Sequence, residues 1–112
     1  MIYRHGDVNL VEVSAEAFEA AKARGTRVAH DGRYVLARGE ATGSVHALSV
    51  ETPEGMELVQ DGETLWLRLS SPGTLTHTSD HETLEITPRH YVQVPERELD
   101  HFADSVIRKV VD

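Results

Sequence analysis

Residues 56–69 read MELVQDGETLWLRL, and this stretch decides the fold. Two short segments with alternating side chains flank Asp61-Gly62, a dipeptide that is typical of a two-residue hairpin turn. In the second segment, three leucines fall on one face of the predicted strand and Trp66 falls on the other. The stretch therefore predicts a β-hairpin with apolar side chains on both faces.

More short strands are predicted outward from this hairpin. We expect them at residues 7–13, 26–30, 33–38, 45–50, 75–77, 83–86 and 91–94. Asp31-Gly32 predicts a second two-residue hairpin between the segments that flank it. About eight short strands with close turns favour a mainly β fold, either a small barrel or a sandwich.

One clear helix is predicted at residues 15–24. Ser14 precedes it as an N-cap, and Gly25 follows it at a position that favours a helix stop. Its expected buried stripe consists of Ala17, Phe18 and Ala21. We expect this helix to lie across one end of the fold or between the first strands. A weaker apolar periodicity predicts a short helix within residues 100–112.

The composition limits the class of protein. A chain of 112 residues with 39% apolar and 27% charged residues predicts a single globular domain, residues 1–112. A formal net charge of -8 argues against a nucleic-acid partner or an anionic membrane surface. The N-terminal residues carry no signal-peptide core, and no apolar run approaches the roughly 20 residues of a membrane span, so we expect a cytoplasmic protein.

Histidine is the residue type that points to specific chemistry. The chain has seven histidines and no cysteine, so metal ligands must come from imidazole and carboxylate groups. His46, His77 and His81 lie in polar, turn-rich stretches, and three imidazoles with an open fourth position suit a divalent ion, zinc above all. Asp80 and Glu40 are the expected carboxylate ligands or orienting groups. The sequence thus predicts a metal site, with no reaction attached.

Two registers are open for the hairpin that carries His77. A three-residue loop would place His77 opposite His81 and pair Leu75 with Thr83. A shift by one residue would pair Leu75 with Leu84, which packs better, and would leave His81 in the loop. His81 could still reach an ion from the loop, with less preorganisation.

The four other histidines have simpler interpretations. We expect His5 to form local hydrogen bonds before the first strand and His30 to be exposed beside its turn. His90 begins a strand, and His101 is expected to be solvated near the C-terminal helix. A role as a metal ligand is the less favoured alternative for His5 and for His90.

Several short motifs resemble a known group of proteins. They are YRHGDV at residues 3–8, GEATG at 39–43 before His46, LTH at 75–77, DH at 80–81, and Pro88 before Tyr91. The chain resembles a family of small, poorly characterised bacterial and phage-associated β-rich proteins. In that family the segment after the Thr-Gly turn tends to read His-x-His, and Ser44 occupies the first of those positions here. The resemblance supports the choice of histidines and implies no reaction.

Three functions are consistent with these features. The first is a divalent-metal-binding β-domain that uses the histidine cluster. The second is a non-catalytic interaction module, either an accessory subunit or a self-associating homodimer. The third is a cupin-like small enzyme, ranked last because the usual His-x-His and spaced Glu are not intact in this chain.

Overall fold

The computed structural model describes residues 2–5, 8–38, 45–77 and 83–94, and these form two antiparallel sheets and one helix. The strands are β1 (Ile2–His5), β2 (Val8–Val13), β3 (Thr26–Val28), β4 (Arg33–Arg38), β5 (Val45–Val50), β6 (Met56–Asp61), β7 (Thr64–Leu69), β8 (Gly73–His77), β9 (Thr83–Ile86) and β10 (His90–Val94). The helix α1 spans Ala15–Arg24, and a 3-10 turn spans Pro53–Gly55. This helix falls short of the length and apolar character that crossing a membrane requires, and it is the only α-helix within the described ranges.

The strands are arranged as a sandwich. One sheet has six strands in the order β1-β2-β10-β7-β6-β3, and the other has four in the order β4-β5-β8-β9. The described strands do not close into a barrel. The expectation of a mainly β fold with one helix is therefore confirmed, and of the two predicted architectures the sandwich is the one formed.

The six-stranded sheet buries apolar side chains on both faces. Leu65, Leu67 and Leu69 pack in the core between the two sheets. Trp66 points to the opposite face, where it packs with Phe18 of α1. The alternation predicted for β7 is thus confirmed, and it produces two cores on either side of one sheet.

The helix covers the outer face of the six-stranded sheet. The Ser14 Oγ accepts a hydrogen bond of 3.0 Å from the Ala17 amide, as expected of an N-cap. Phe18 and Ala21 of the predicted stripe are fully buried, and Ala17 is half-buried against the same core. The position of the helix differs from the prediction, because α1 packs on β6, β7 and β10 rather than across an end of the fold or between the first strands.

The predicted hairpin at Asp31-Gly32 is wrong. Strand β3 pairs with β6 in the six-stranded sheet, whereas β4 pairs with β5 in the other, so this turn carries the chain from one sheet to the other. His30 stabilises the crossover, since its Nε2 lies 2.6 Å from the Met56 carbonyl oxygen and its Nδ1 accepts a 2.9 Å hydrogen bond from the Gly32 amide. Asp31-Gly32 does form a turn, and Gly32 has the positive φ, 104°, that glycine adopts readily.

Two hairpins and the predicted C-terminal helix complete the comparison with the sequence. The pairing of Leu75 with Leu84 confirms the better-packed register of the β8–β9 hairpin. Strand β1 was not expected, and it pairs with β2 through His5 and Val8. The helix predicted within residues 100–112 lies outside the described part of the chain.

Gly25 supplies a test of how closely α1 approaches the sheet. A Cβ at this position would lie 2.5 Å from the Gln60 carbonyl oxygen and 2.9 Å from a methyl carbon of Val59. We expect Gly25→Ala to lower the free energy of unfolding by about 1–3 kcal/mol, because α1 or β6 must shift. Urea unfolding followed by the fluorescence of Trp66, the single tryptophan, measures it. Ala23→Ser on the exposed side of α1 is the control, and equal stability of the two variants would contradict the close approach.

Candidate functional site

Three histidines meet at one end of the sandwich. His5 is the last residue of β1 in the six-stranded sheet. His46 lies near the start of β5 and His77 at the end of β8, and these two residues are directly opposite each other in the ladder of the four-stranded sheet. The cluster therefore draws side chains from both sheets, across 41 residues of sequence between His5 and His46.

The three rings are in close contact. The Nδ1 atoms of His5 and His46 are 3.1 Å apart, and the two rings are nearly perpendicular, with centroids 5.2 Å apart. The rings of His46 and His77 stack in parallel, with an interplanar angle of 6° and centroids 4.1 Å apart. The centroids of His5 and His77 are 6.2 Å apart. We call this group the histidine cluster.

Two members of the cluster are deeply buried. His5 and His46 are each only 6% exposed, whereas His77 is half-buried. When two neutral imidazoles meet through Nδ1, one must donate the proton and the other must accept it. The Nε2 of His5 has no hydrogen-bond partner among the described residues. A buried polar atom without a partner is costly in free energy, and Trp66 Nε1 and Ser71 Oγ share this condition within the described ranges. The cluster is therefore distinguished by its three imidazoles in contact rather than by this one nitrogen.

The geometry of the cluster is close to that of a metal-ligand pair. Two imidazoles on a tetrahedral zinc ion, with Zn–N bonds of about 2.0–2.1 Å, have nitrogens roughly 3.3–3.4 Å apart. The 3.1 Å between the Nδ1 atoms of His5 and His46 is slightly shorter. The stacked rings of His46 and His77 lie in parallel planes, so one ion cannot lie in both planes at once. Accordingly, no three ligand-type side chains in the described ranges are already arranged around a common point.

The structure brings together only part of the predicted metal site. Of the residues expected from the sequence, His46 and His77 are adjacent. Residues His81, Asp80 and Glu40 lie outside the described ranges. Of the two registers left open for this hairpin, the one that would place His77 opposite His81 required Leu75 to pair with Thr83, whereas Leu75 pairs with Leu84.

His5 lies in the cluster, although the sequence did not place it among the predicted ligands. It was expected to make local hydrogen bonds, and instead it contacts His46 in the opposite sheet. A signal for it exists in the chain, since Gly6-Asp7 is a two-residue turn sequence between two alternating segments. A β1–β2 hairpin at this turn places Tyr3 and His5 on the same face.

The other described histidines serve the fold. His30 is half-buried with both ring nitrogens engaged, which corrects the expectation that it is exposed. His90 packs against Phe18, with ring centroids 5.3 Å apart, and burial lowers its pKa below the usual value. His101 lies beyond the described residues.

A second polar cluster surrounds Glu57, which is 5% exposed. Lys22 Nζ of α1 lies 2.9 Å from its Oε2, and Arg68 Nε of β7 lies 3.1 Å from its Oε1. Arg27 of β3 is 3.7 Å away. Burial raises the pKa of Glu57, but hydrogen bonds and positive charge from Lys22 and Arg68 outweigh this effect, and the pKa is below its ordinary value. This cluster links α1 to the three strands β3, β6 and β7, and its central charge is compensated.

The fold and the site define a class: a cysteine-free β-sandwich with a histidine cluster between its sheets. The chain belongs to the family described as domain of unknown function DUF8820, which it matches over residues 4–95. That range includes all three histidines of the cluster. No curated protein and no solved structure matches the chain.

The buried carboxylate of Glu57 predicts a pH-dependent contribution to stability. Because its pKa is lowered in the folded state, its contribution is present above the unfolded value of about 4.5 and is lost as the pH falls through the folded value. We expect Glu57→Gln to lower the free energy of unfolding at pH 7 by about 1–3 kcal/mol, with a smaller difference from wild type near pH 3. Denaturant unfolding across this range measures it, with the exposed Glu54→Gln as control. A pH-independent difference would contradict the ion-pair account.

Proposed function

We propose that this protein is a divalent-metal-binding β-domain, and that its ion binds in the histidine cluster. The observation that carries the proposal is the buried contact between His5 and His46, whose Nδ1 atoms are 3.1 Å apart. These two imidazoles form the first ligand pair, and rotation of the His77 side chain out of its stack supplies the third ligand. Neutral imidazole is a common ligand for zinc and similar ions.

The type of donor limits the type of ion. Imidazole nitrogen suits zinc, copper, nickel and iron, whereas magnesium and calcium prefer oxygen ligands. The chain has no cysteine and a formal net charge of -8, which attracts cations in general. We therefore propose a first-row transition metal, with zinc as the first choice.

Further ligands are proposed from the sequence next to the cluster. Asp80 and His81 follow His77 by three and four residues, and Glu40 precedes His46 by six. A four-coordinate ion with three histidine ligands has one position for such a residue or for water. We propose that one of these three side chains completes the site, and we assign no reaction to it.

An interaction module is the second candidate, and the edge strand β4 is the surface that would serve it. Within the described strands, β4 pairs only with β5 and carries half-buried apolar residues. Arg33 and Arg38 at its two ends would face each other in a symmetric antiparallel pair, which disfavours a homodimer through this edge. Gln93 also donates a 3.1 Å hydrogen bond to the Leu36 carbonyl at the bulge in this strand.

A cupin-like enzyme is the third candidate function. We also propose that the protein is bacterial and lies in the cytoplasm, and cell fractionation tests the second of these proposals.

Zinc titration of tag-free protein tests the proposed function. We expect stoichiometric binding by calorimetry and a stabilisation of about 2.7 kcal/mol at a zinc concentration 100 times Kd. For a chain of this length that corresponds to a rise in Tm of roughly 8–12 °C. His5→Gln and His46→Gln are expected to weaken binding at least about 10-fold, since each removes one ligand of the first pair.

His90→Gln is the matched control, because it removes an imidazole that packs on α1, away from the cluster. Its zinc affinity should equal that of wild type. No binding by the wild-type protein at millimolar zinc contradicts the proposal, as does a loss of affinity in His90→Gln that equals the loss in His5→Gln.

A further inference from the structure

Strand β1 depends on two inward-pointing side chains for its contact with the opposite sheet. It is a four-residue strand at the edge of the six-stranded sheet, and among the described strands it pairs only with β2. Ile2 and Arg4 are exposed, whereas Tyr3 is half-buried and His5 is buried. The side chains of Tyr3 and His5 therefore fasten this strand to the rest of the sandwich.

The contacts that Tyr3 makes with other parts of the sandwich need no metal ion. Its hydroxyl donates a 3.0 Å hydrogen bond to the Thr87 hydroxyl, beyond the end of β9 in the other sheet. Its ring also meets Tyr91 edge-on, with centroids 5.7 Å apart. The N-terminal half of β1 is thus fixed by an aromatic contact and a hydrogen bond between neutral groups.

The His5 attachment is incomplete by comparison. It consists of the contact between its Nδ1 and the Nδ1 of His46 and of edge-on ring contacts with His46 and His77, while the Nε2 of His5 has no hydrogen-bond partner among the described residues. A metal ion in the cluster would replace this single hydrogen bond with two coordination bonds that run from one sheet to the other. The C-terminal end of β1 is therefore the part of the fold whose attachment metal binding would stabilise most.

We infer that the ion is a clasp between the two sheets, which fastens β1 when it is bound and allows β1 to open when it is absent. This inference rests on the proposed function. Opening of β1 removes the partner of β2 along the pairs from Ile2–Val11 to His5–Val8.

Hydrogen exchange on the full chain, with and without zinc, tests the clasp. We expect zinc to slow amide exchange in peptides that cover β1 and β2 at least about 10-fold more than it slows exchange in peptides from α1. Tyr3→Phe removes the hydroxyl attachment and leaves the three imidazoles in place. This variant should exchange several-fold faster than wild type in β1 without zinc, regain protection with zinc, and keep the zinc affinity of wild type.

Calorimetry on the same samples separates the two claims. If zinc binds and the exchange of β1 does not change, the clasp is wrong and the metal site stands. If zinc does not bind, the proposed function and the clasp both fail. His5→Gln should abolish the zinc-dependent protection of β1, and protection that persists in this variant would overturn the inference.

Discussion

The six-stranded sheet must bury both of its faces, and the rest of the structure depends on this constraint. Its central strands carry apolar side chains on alternate faces, such as Leu67 and Trp66 on β7. The four-stranded sheet covers one face and α1 covers the other. A face of this size left in water would forfeit the burial of several large side chains, each worth about 1.5–3 kcal/mol. The four-stranded sheet and α1 thus both form because each buries one apolar face of the six-stranded sheet.

The histidine cluster follows from where the two sheets meet. The ladder of β5 and β8 sets His46 opposite His77, and sheet-on-sheet packing brings His5 of β1 against them. The cluster differs from the one around Glu57, in which three cationic side chains compensate one buried carboxylate. In the histidine cluster, one buried ring nitrogen has no partner among the described residues. We assign a structural role to the second cluster because cations compensate its carboxylate, and we propose ligand binding for the first because its three side chains are all of a metal-ligating type.

Local signals in the sequence were sufficient for much of the fold. The cap at Ser14 and the alternation of β7 depend on neighbouring residues, and the structure has both as predicted. The crossover at Asp31-Gly32 was missed because the same turn residues serve a hairpin or a passage between sheets, and only distant contacts such as His30 with Met56 decide between them. His5 was missed for the same reason, since its partner is 41 residues away. The expected roles of His81, Asp80 and Glu40 stay predictions.

The claim that a metal ion binds between the two sheets is tested most directly by locating the ion. Crystals of the protein soaked in zinc, measured at the zinc absorption edge, would show its position by anomalous scattering. Our account predicts one strong peak within about 2.0–2.1 Å of a nitrogen of His5 and a nitrogen of His46, with His77 turned toward it. A strong peak at His30, at His90 or at a surface site, with the His5–His46 contact unchanged, would contradict it.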